Sequence, residues 1–149
     1  MNRDEAAAAL AEVARTEGRL AERAQWPFHR HAMFGLAEGL LVAGLAQPTT
    51  MMFSMFAVAM ALLAVCIFDD RRRHGMFVSG WQPGATRSLT VLLMLFLVAM
   101  LGLALYIRDG QSVQPVGYLV GAVTFLVATA ASLRWEKVYR AQLLERGRR

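Results

Sequence analysis

The chain has few of the residues that build disulfides or metal centres in small proteins. Its one cysteine, Cys66, cannot form an internal disulfide, a CxxC redox pair or a cysteine-based zinc site. The side chains that could bind a metal together are His29, His31, His74, Asp69 and Asp70. No two of them show the HxxxH or HExxH spacing that places two ligands on one helical face. We therefore predict no metal site and no cofactor.

Charge is missing from long stretches of the chain. In residues 31–68, Glu38 is the only aspartate, glutamate, lysine or arginine. Residues 88–107 and 110–133 contain none of these four residue types. These runs match or exceed the roughly 20 residues that span a bilayer. The sequence thus predicts an all-α, polytopic membrane protein.

Lysine is almost absent, because Lys137 is the only lysine among 16 basic residues. The basic residues lie in short clusters beside the apolar runs, where membrane insertion favours them, so the high pI of about 10.3 does not indicate nucleic-acid binding. The preference for arginine, together with many alanines, is typical of GC-rich bacterial genomes. We expect a bacterial inner-membrane protein.

The apolar runs predict one membrane domain over residues 1–149 with four transmembrane helices. The predicted spans are residues 28–46, 50–68, 88–107 and 115–133. Around them we expect a cytoplasmic surface helix at 4–25, a cytoplasmic loop at 69–87 and a helical tail at 134–149. Pro27 and Pro115 suit the first turns of the helices that follow them.

The N-terminal helix has an amphipathic pattern. Leu10 and Val13 fall on one side and Glu12 and Arg15 on the other when residues are placed 100° apart. The apolar side consists mostly of alanine, so it predicts only a weak membrane anchor. The two interpretations are a solvated or surface-lying helix and a partner-binding helix.

Orientation follows from the distribution of lysine and arginine. Five lie before or in the first turn of the first span, four lie in the middle loop, six lie in the tail, and Arg108 stands alone after the third span. Basic residues concentrate on the cytoplasmic side of a membrane protein. Both termini and the middle loop are therefore predicted to be cytoplasmic.

Stripes of small residues mark two of the predicted spans. The stripe residues are Gly35, Gly39 and Ala43 in the first span and Gly117, Gly121 and Ala128 in the fourth. Small residues allow two helix backbones to approach closely in lipid. We predict that the first and fourth spans form a close antiparallel pair, although such a stripe also suits dimerisation.

The middle loop combines basic and aromatic residues. Arg71, Arg72 and Arg73 are expected to contact anionic lipid headgroups, each contributing on the order of 1 kcal/mol, with Trp81 at the interface. A specific headgroup or phosphate site is the alternative.

Glu38 is the acidic residue inside a predicted span, and ionisable residues in spans are functional candidates. It lies seven residues, roughly 10 Å, beyond His31 on nearly the same helical face. Its side chain can extend toward His31, bond to Ser132 or Thr124 on the fourth span, or carry a proton.

A four-helix chain whose first span carries Ala37-Glu38 is similar to the small multidrug resistance transporters. The resemblance implies a first-helix glutamate that exchanges protons for cationic drugs. It covers only these residues, and this chain departs from the family in its greater length, its larger middle loop and a third span without tryptophan. We do not assign the chain to this family.

The sequence shows no Ser-His-Asp order, Walker loop or paired carboxylates, so we predict no enzyme. The expected function is that of an accessory or interaction subunit that acts through its cytoplasmic face, with a protein partner or a homo-oligomer. A proton-coupled small transporter centred on Glu38 is the alternative. A membrane enzyme acting on lipids from the cytoplasmic rim ranks third.

Overall fold

The computed structural model describes residues 2–74, 81, 84–110 and 114–146, and these residues form five α-helices and no strand. The helices are α1 (Arg3–Arg23), α2 (Phe28–Leu45), α3 (Thr49–His74), α4 (Ala85–Asp109) and α5 (Gln114–Arg146). The all-α prediction is confirmed.

Among the residues that the structure describes, three helices are long and apolar enough to cross a bilayer. They include the segments Thr49–Arg72, Ala85–Asp109 and Pro115–Glu145. α2 is not among them, because Arg30, His31 and Glu38 lower the hydropathy of its 18 residues. The structure thus supports a membrane protein, whereas the crossing of the bilayer by α2 is a proposal and not a finding.

Two helices run past the predicted ends of their spans. Residues 69–74, predicted as the start of a loop, are the last turns of α3, and α5 continues unbroken to Arg146. Polar residues extend a helix readily where water or a partner satisfies them, and Asp70 has such a partner in Arg30. The connection between α3 and α4 is accordingly shorter than predicted.

α2, which is not among the helices apolar enough to span a bilayer, lies at the centre of the bundle. It packs against α5, α3 and α4, while α4 and α1 also pack on α5. The apolar helices therefore shield α2, and most of their remaining surface is exposed.

Gly84 precedes α4 in a conformation that favours glycine. Its φ is +115°, and a Cβ atom there would collide with the side chain of Gln142 on α5. This glycine allows the start of α4 to approach the extension of α5.

Candidate functional site

The polar side chains of the bundle concentrate at the end where α2 begins, which we call the α1 end. Arg30 of α2 forms a two-pronged ion pair with Asp70 of α3, with Nε–Oδ1 at 2.9 Å and Nη2–Oδ2 at 2.7 Å. Both side chains are largely buried. Paired geometry of this kind fixes the relative position of α2 and α3.

His31 joins α2 to α5. Only 1% of it is exposed, and both ring nitrogens have partners. Nδ1 lies 2.8 Å from Ser132 Oγ, and Nε2 lies 2.8 Å from Glu136 Oε2. A hydroxyl can donate or accept, so the Ser132 contact is kept whether or not Nδ1 carries a proton.

Three aromatic residues pack against one another at the α1 end. The ring of Trp26 lies 6.2 Å from that of Trp135 and 6.4 Å from that of Tyr139, and the last two rings stack at 5.0 Å. The guanidinium carbon of Arg30 sits 4.7 Å from the centre of the Trp26 ring. This cluster anchors the segment between α1 and α2 to the extension of α5.

The last turn of α1 also packs against α5. Ala21, Ala24 and Leu143 are buried beside the aromatic rings. Arg140 donates from Nε to the Ala21 carbonyl oxygen at 3.2 Å, which gives this carbonyl group in the last turn of α1 a hydrogen-bond donor. The C-terminal end of α1 and the extension of α5 therefore form one packed unit.

Ser132, His31 and Glu136 have the connectivity of a nucleophile, base and orienting acid. However, Ser132 lies inside the continuous helix α5, where the backbone N–H groups donate to carbonyl groups four residues earlier. They cannot also stabilise an oxyanion, which acyl transfer needs. The arrangement is suited to joining helices.

The two stripes of small residues face each other between α2 and α5. A Cβ atom on Gly39 would lie 2.7 Å from the Gly121 carbonyl oxygen, and one on Gly121 would lie 2.8 Å from the Gly39 carbonyl oxygen. A Cβ on Gly35 would collide with Thr129, and one on Gly117 would lie 2.6 Å from Ala46 Cβ. The remaining stripe residues, Ala43 and Ala128, are buried.

Glu38 is only half-buried on α2. Among the described residues it has no hydrogen bond or ion pair. Ser132 bonds to His31, and Thr124 bonds to the Val120 carbonyl oxygen in its own helix. The suggested contacts of Glu38 with Ser132, Thr124 or His31 are not present.

The position of Glu38 follows from the faces of α2. Arg30 and Gly44 mark the side that meets α3, and Gly35 and Gly39 mark the side that meets α5. Because α4 packs on both α2 and α5, it covers the intervening side, where Val42 is 1% exposed. The half-buried residues between α3 and α4 are Phe34, Glu38, Leu41 and Leu45.

The predicted headgroup residues are dispersed. Arg71 and Arg72 are exposed on the last turn of α3, and Trp81 is exposed with the Arg87 guanidinium 5.4 Å from its ring centre. The side chain of Arg73 lies outside the described residues, as do positions 75–80 of the connection. Within the described chain no three histidine, cysteine, aspartate or glutamate side chains cluster as metal ligands.

Sequence reasoning missed Glu136 and the pairing of Arg30 with Asp70. The spacing of Ser132 and Glu136 was available as a signal, since residues four apart share a helical face. Their common partner, His31, is about one hundred residues away in sequence and could not be identified without the packing of α2 on α5.

No protein-family model, curated protein or solved structure matches this chain.

Proposed function

We propose that the protein is a multi-pass bacterial inner-membrane protein that acts as a non-enzymatic accessory or interaction subunit through its cytoplasmic face. In this proposal α2 also crosses the bilayer, which brings the number of transmembrane helices to four. Its central position supports that role, because Arg30 and His31 are paired with side chains of α3 and α5 and do not face lipid.

The distribution of basic residues supports an orientation with both termini and the connection between α3 and α4 in the cytoplasm. The α1 end is then the cytoplasmic end. Exposed Arg71, Arg72 and Trp81 would contact anionic headgroups there.

One observation carries the proposed interaction role. The side of α1 that packs on α5 at Ala21 and Ala24 continues toward the N-terminus as Leu10 and Val13, which are 65% and 55% exposed. The anchored last turn holds this apolar side in a fixed direction. Such a helix is suited to pairing with an amphipathic helix of a partner protein.

The test is purification from native membranes in mild detergent. A double variant that carries both Leu10→Ser and Val13→Ser is compared with wild type. We expect a stoichiometric partner with wild type and its loss with the variant. Ala8→Ser with Ala11→Ser is the matched control, because these residues lie on the opposite, polar side of α1. A partner retained equally by both variants would contradict the role of α1.

The second candidate is a proton-coupled small transporter centred on Glu38. The observation that favours it is the half-buried carboxyl group without a hydrogen bond or ion pair to the described residues. In liposomes, flux of an organic cation driven by a pH gradient should be lost in Glu38→Gln while the protein stays folded. Flux that survives this substitution would remove the candidate.

A further inference from the structure

Two neighbouring methionines, Met51 and Met52, lie in the first turn of α3, at the end of the bundle opposite the α1 end. We call them the methionine pair. The hydroxyl group of Tyr118 on α5 donates to Met51 Sδ at 3.4 Å, and Nη1 of Arg108 on α4 donates to Met52 Sδ at 3.4 Å. Arg108 Nη2 also donates to Thr49 Oγ1 at 3.4 Å. Each sulfur of the pair therefore faces a side-chain donor from a different helix.

The two sulfur contacts connect α3 to helices on which it does not pack closely. Among the described residues α3 packs mainly on α2, whereas Tyr118 belongs to α5 and Arg108 to α4. A thioether sulfur is a weak hydrogen-bond acceptor, so these contacts add little to stability as they stand. A stronger acceptor at the same place would hold α3 more firmly against both helices.

Oxidation of a methionine supplies a stronger acceptor. The sulfoxide carries a polar oxygen on sulfur, and in apolar surroundings this oxygen disrupts packing. Here a donor already faces each sulfur and can bond to the oxygen instead, and the bond from the Arg108 guanidinium is charge-assisted. The same guanidinium opposes the binding of a metal cation such as Cu(I), which thioethers otherwise suit. The surroundings of the methionine pair thus favour the sulfoxide.

The methionine pair is also accessible to an oxidant dissolved in water. Met51 is 45% exposed and lies at the start of its helix. Met60 on α3 and Met94 on α4 are 48% and 56% exposed, but they lie near the middle of apolar helices that are candidates to span the bilayer. Their sulfur atoms have no hydrogen-bond donor among the described residues. An oxidant that stays in water should therefore distinguish the methionine pair from these two.

We propose that Met51 and Met52 are a site of oxidation by aqueous chloramines, and that Tyr118 and Arg108 bind the sulfoxide oxygens and so fasten α3 to α5 and α4. In the reaction the sulfur gives two electrons to the N–Cl bond, which breaks to release chloride. Water supplies the sulfoxide oxygen, and of its two protons one goes to the amine nitrogen and the other to solution. The site depends neither on the proposed orientation nor on a partner of α1.

The probe is N-chlorotaurine, an anionic chloramine that stays in water. It is added to the full-length protein in phosphatidylethanolamine–phosphatidylglycerol nanodiscs, which leave both membrane faces open to water. Peptide mass spectrometry measures the oxidised fraction of each methionine with time. We expect Met51 and Met52 to be oxidised several-fold faster than Met60 and Met94. Equal rates at all four positions would overturn the proposal.

A second measurement compares the unfolding midpoint in mild detergent before and after oxidation. We expect the midpoint of the wild-type protein to rise by a few degrees, because the sulfoxide oxygens accept stronger hydrogen bonds than the sulfurs. A double variant that carries both Met51→Leu and Met52→Leu should show no rise. A rise of equal size in this variant would place the effect at other methionines and contradict the proposal.

Variants of the two donors test whether they bind the sulfoxides. A double variant that carries both Tyr118→Phe and Arg108→Leu should lose stability on oxidation, because its sulfoxides lack these donors. Tyr106→Phe is the matched control and should respond as wild type does, since Tyr106 is 78% exposed. Each variant is compared with its own unoxidised form, so unequal starting stabilities do not affect the result.

A wild-type midpoint that falls on oxidation as far as that of the donor variant would show ordinary oxidative damage and overturn the proposal. The rates and the wild-type midpoints do not require the donor variant to fold. Loss of the cytoplasmic partner in the Leu10 and Val13 variant would leave all of these results unchanged, so the two proposals fail separately.

Discussion

At the scale of single residues, His31 is the most constrained polar side chain of the bundle. Ser132 and Glu136 hold its two ring nitrogens, and Arg140 Nη1 lies 4.0 Å from the second carboxylate oxygen of Glu136. Polar groups buried between helices contribute mainly through the penalty for leaving their partners unsatisfied. His31 therefore joins α2 to the extension of α5 at the point where α1 also packs.

The first prediction concerns His31→Leu. It removes both hydrogen bonds and leaves the partly buried carboxyl of Glu136 without the ring, so we expect a loss of about 1–3 kcal/mol in unfolding free energy. His29→Leu is the control, because His29 is exposed and lies two residues before His31. Thermal unfolding in detergent measures both, and equal shifts for the two variants would show that the His31 contacts do not stabilise the bundle.

At the scale of helices, the contact of α2 with α5 depends on glycine. A Cβ atom on Gly39 or Gly121 would lie within 2.8 Å of the carbonyl oxygen of the other glycine, so the two backbones approach closely there. A backbone oxygen cannot move aside as a flexible side chain can. Added volume at this crossing must therefore separate the helices.

The second prediction compares Gly121→Ala with Gly102→Ala. Alanine is intrinsically better than glycine in a helix by up to about 1 kcal/mol, so Gly102→Ala on α4, where the new Cβ has nothing within 4 Å, should be neutral or stabilising. Gly121→Ala should instead destabilise by about 1–3 kcal/mol through overpacking against Ala43 and Gly39. Leu126 is 62% exposed, so Leu126→Ala should lower the unfolding free energy only a little.

Unfolding midpoints of the three variants and wild type are measured in one detergent. Stabilisation of the protein by both glycine substitutions would mean that α2 and α5 separate without penalty, contrary to the packing described.

The third prediction concerns the attachment of α1. Trp26→Ala removes the ring that contacts Trp135, Tyr139 and Arg30, so we expect α1 to separate from α5 while the apolar helices stay packed. Trypsin should then cleave α1 at Arg15 or Arg19 several-fold faster than in wild type.

Trp81→Ala is the matched control, because Trp81 is exposed and lies outside this cluster. Unchanged cleavage in the Trp26 variant would show that the aromatic contacts do not hold α1 in place.

At the scale of the whole molecule, topology is the property that the proposed function requires first. The fourth prediction is that reporters fused after Pro48 and after Ser112 lie outside the cytoplasm, and that one fused after Gly80 lies inside. Positions 80 and 112 fall outside the described residues, so the prediction rests on the basic residues of the sequence. A cytoplasmic signal from the fusion after Pro48 would exclude α2 as a span.

The sequence by itself determined the helices and their apolar character. Hydrophobic runs predicted the starts of α3, α4 and α5 within three residues, because an apolar run is a local property of the sequence. The prolines at positions 27 and 115 lie at the starts of α2 and α5 for an equally local reason, since proline lacks an N–H to donate. The small residues of α2 and α5 indicated a close approach, and the structure places them in contact.

Only the tertiary structure decided which polar groups meet. His31 with Glu136, and Arg30 with Asp70, are distant in sequence, and no periodicity relates them. The same packing decided that Ser132 bonds to His31 and not to Glu38. Helical spacing gives the direction of a side chain from its own axis, whereas its partner depends on which helix the bundle places on that side.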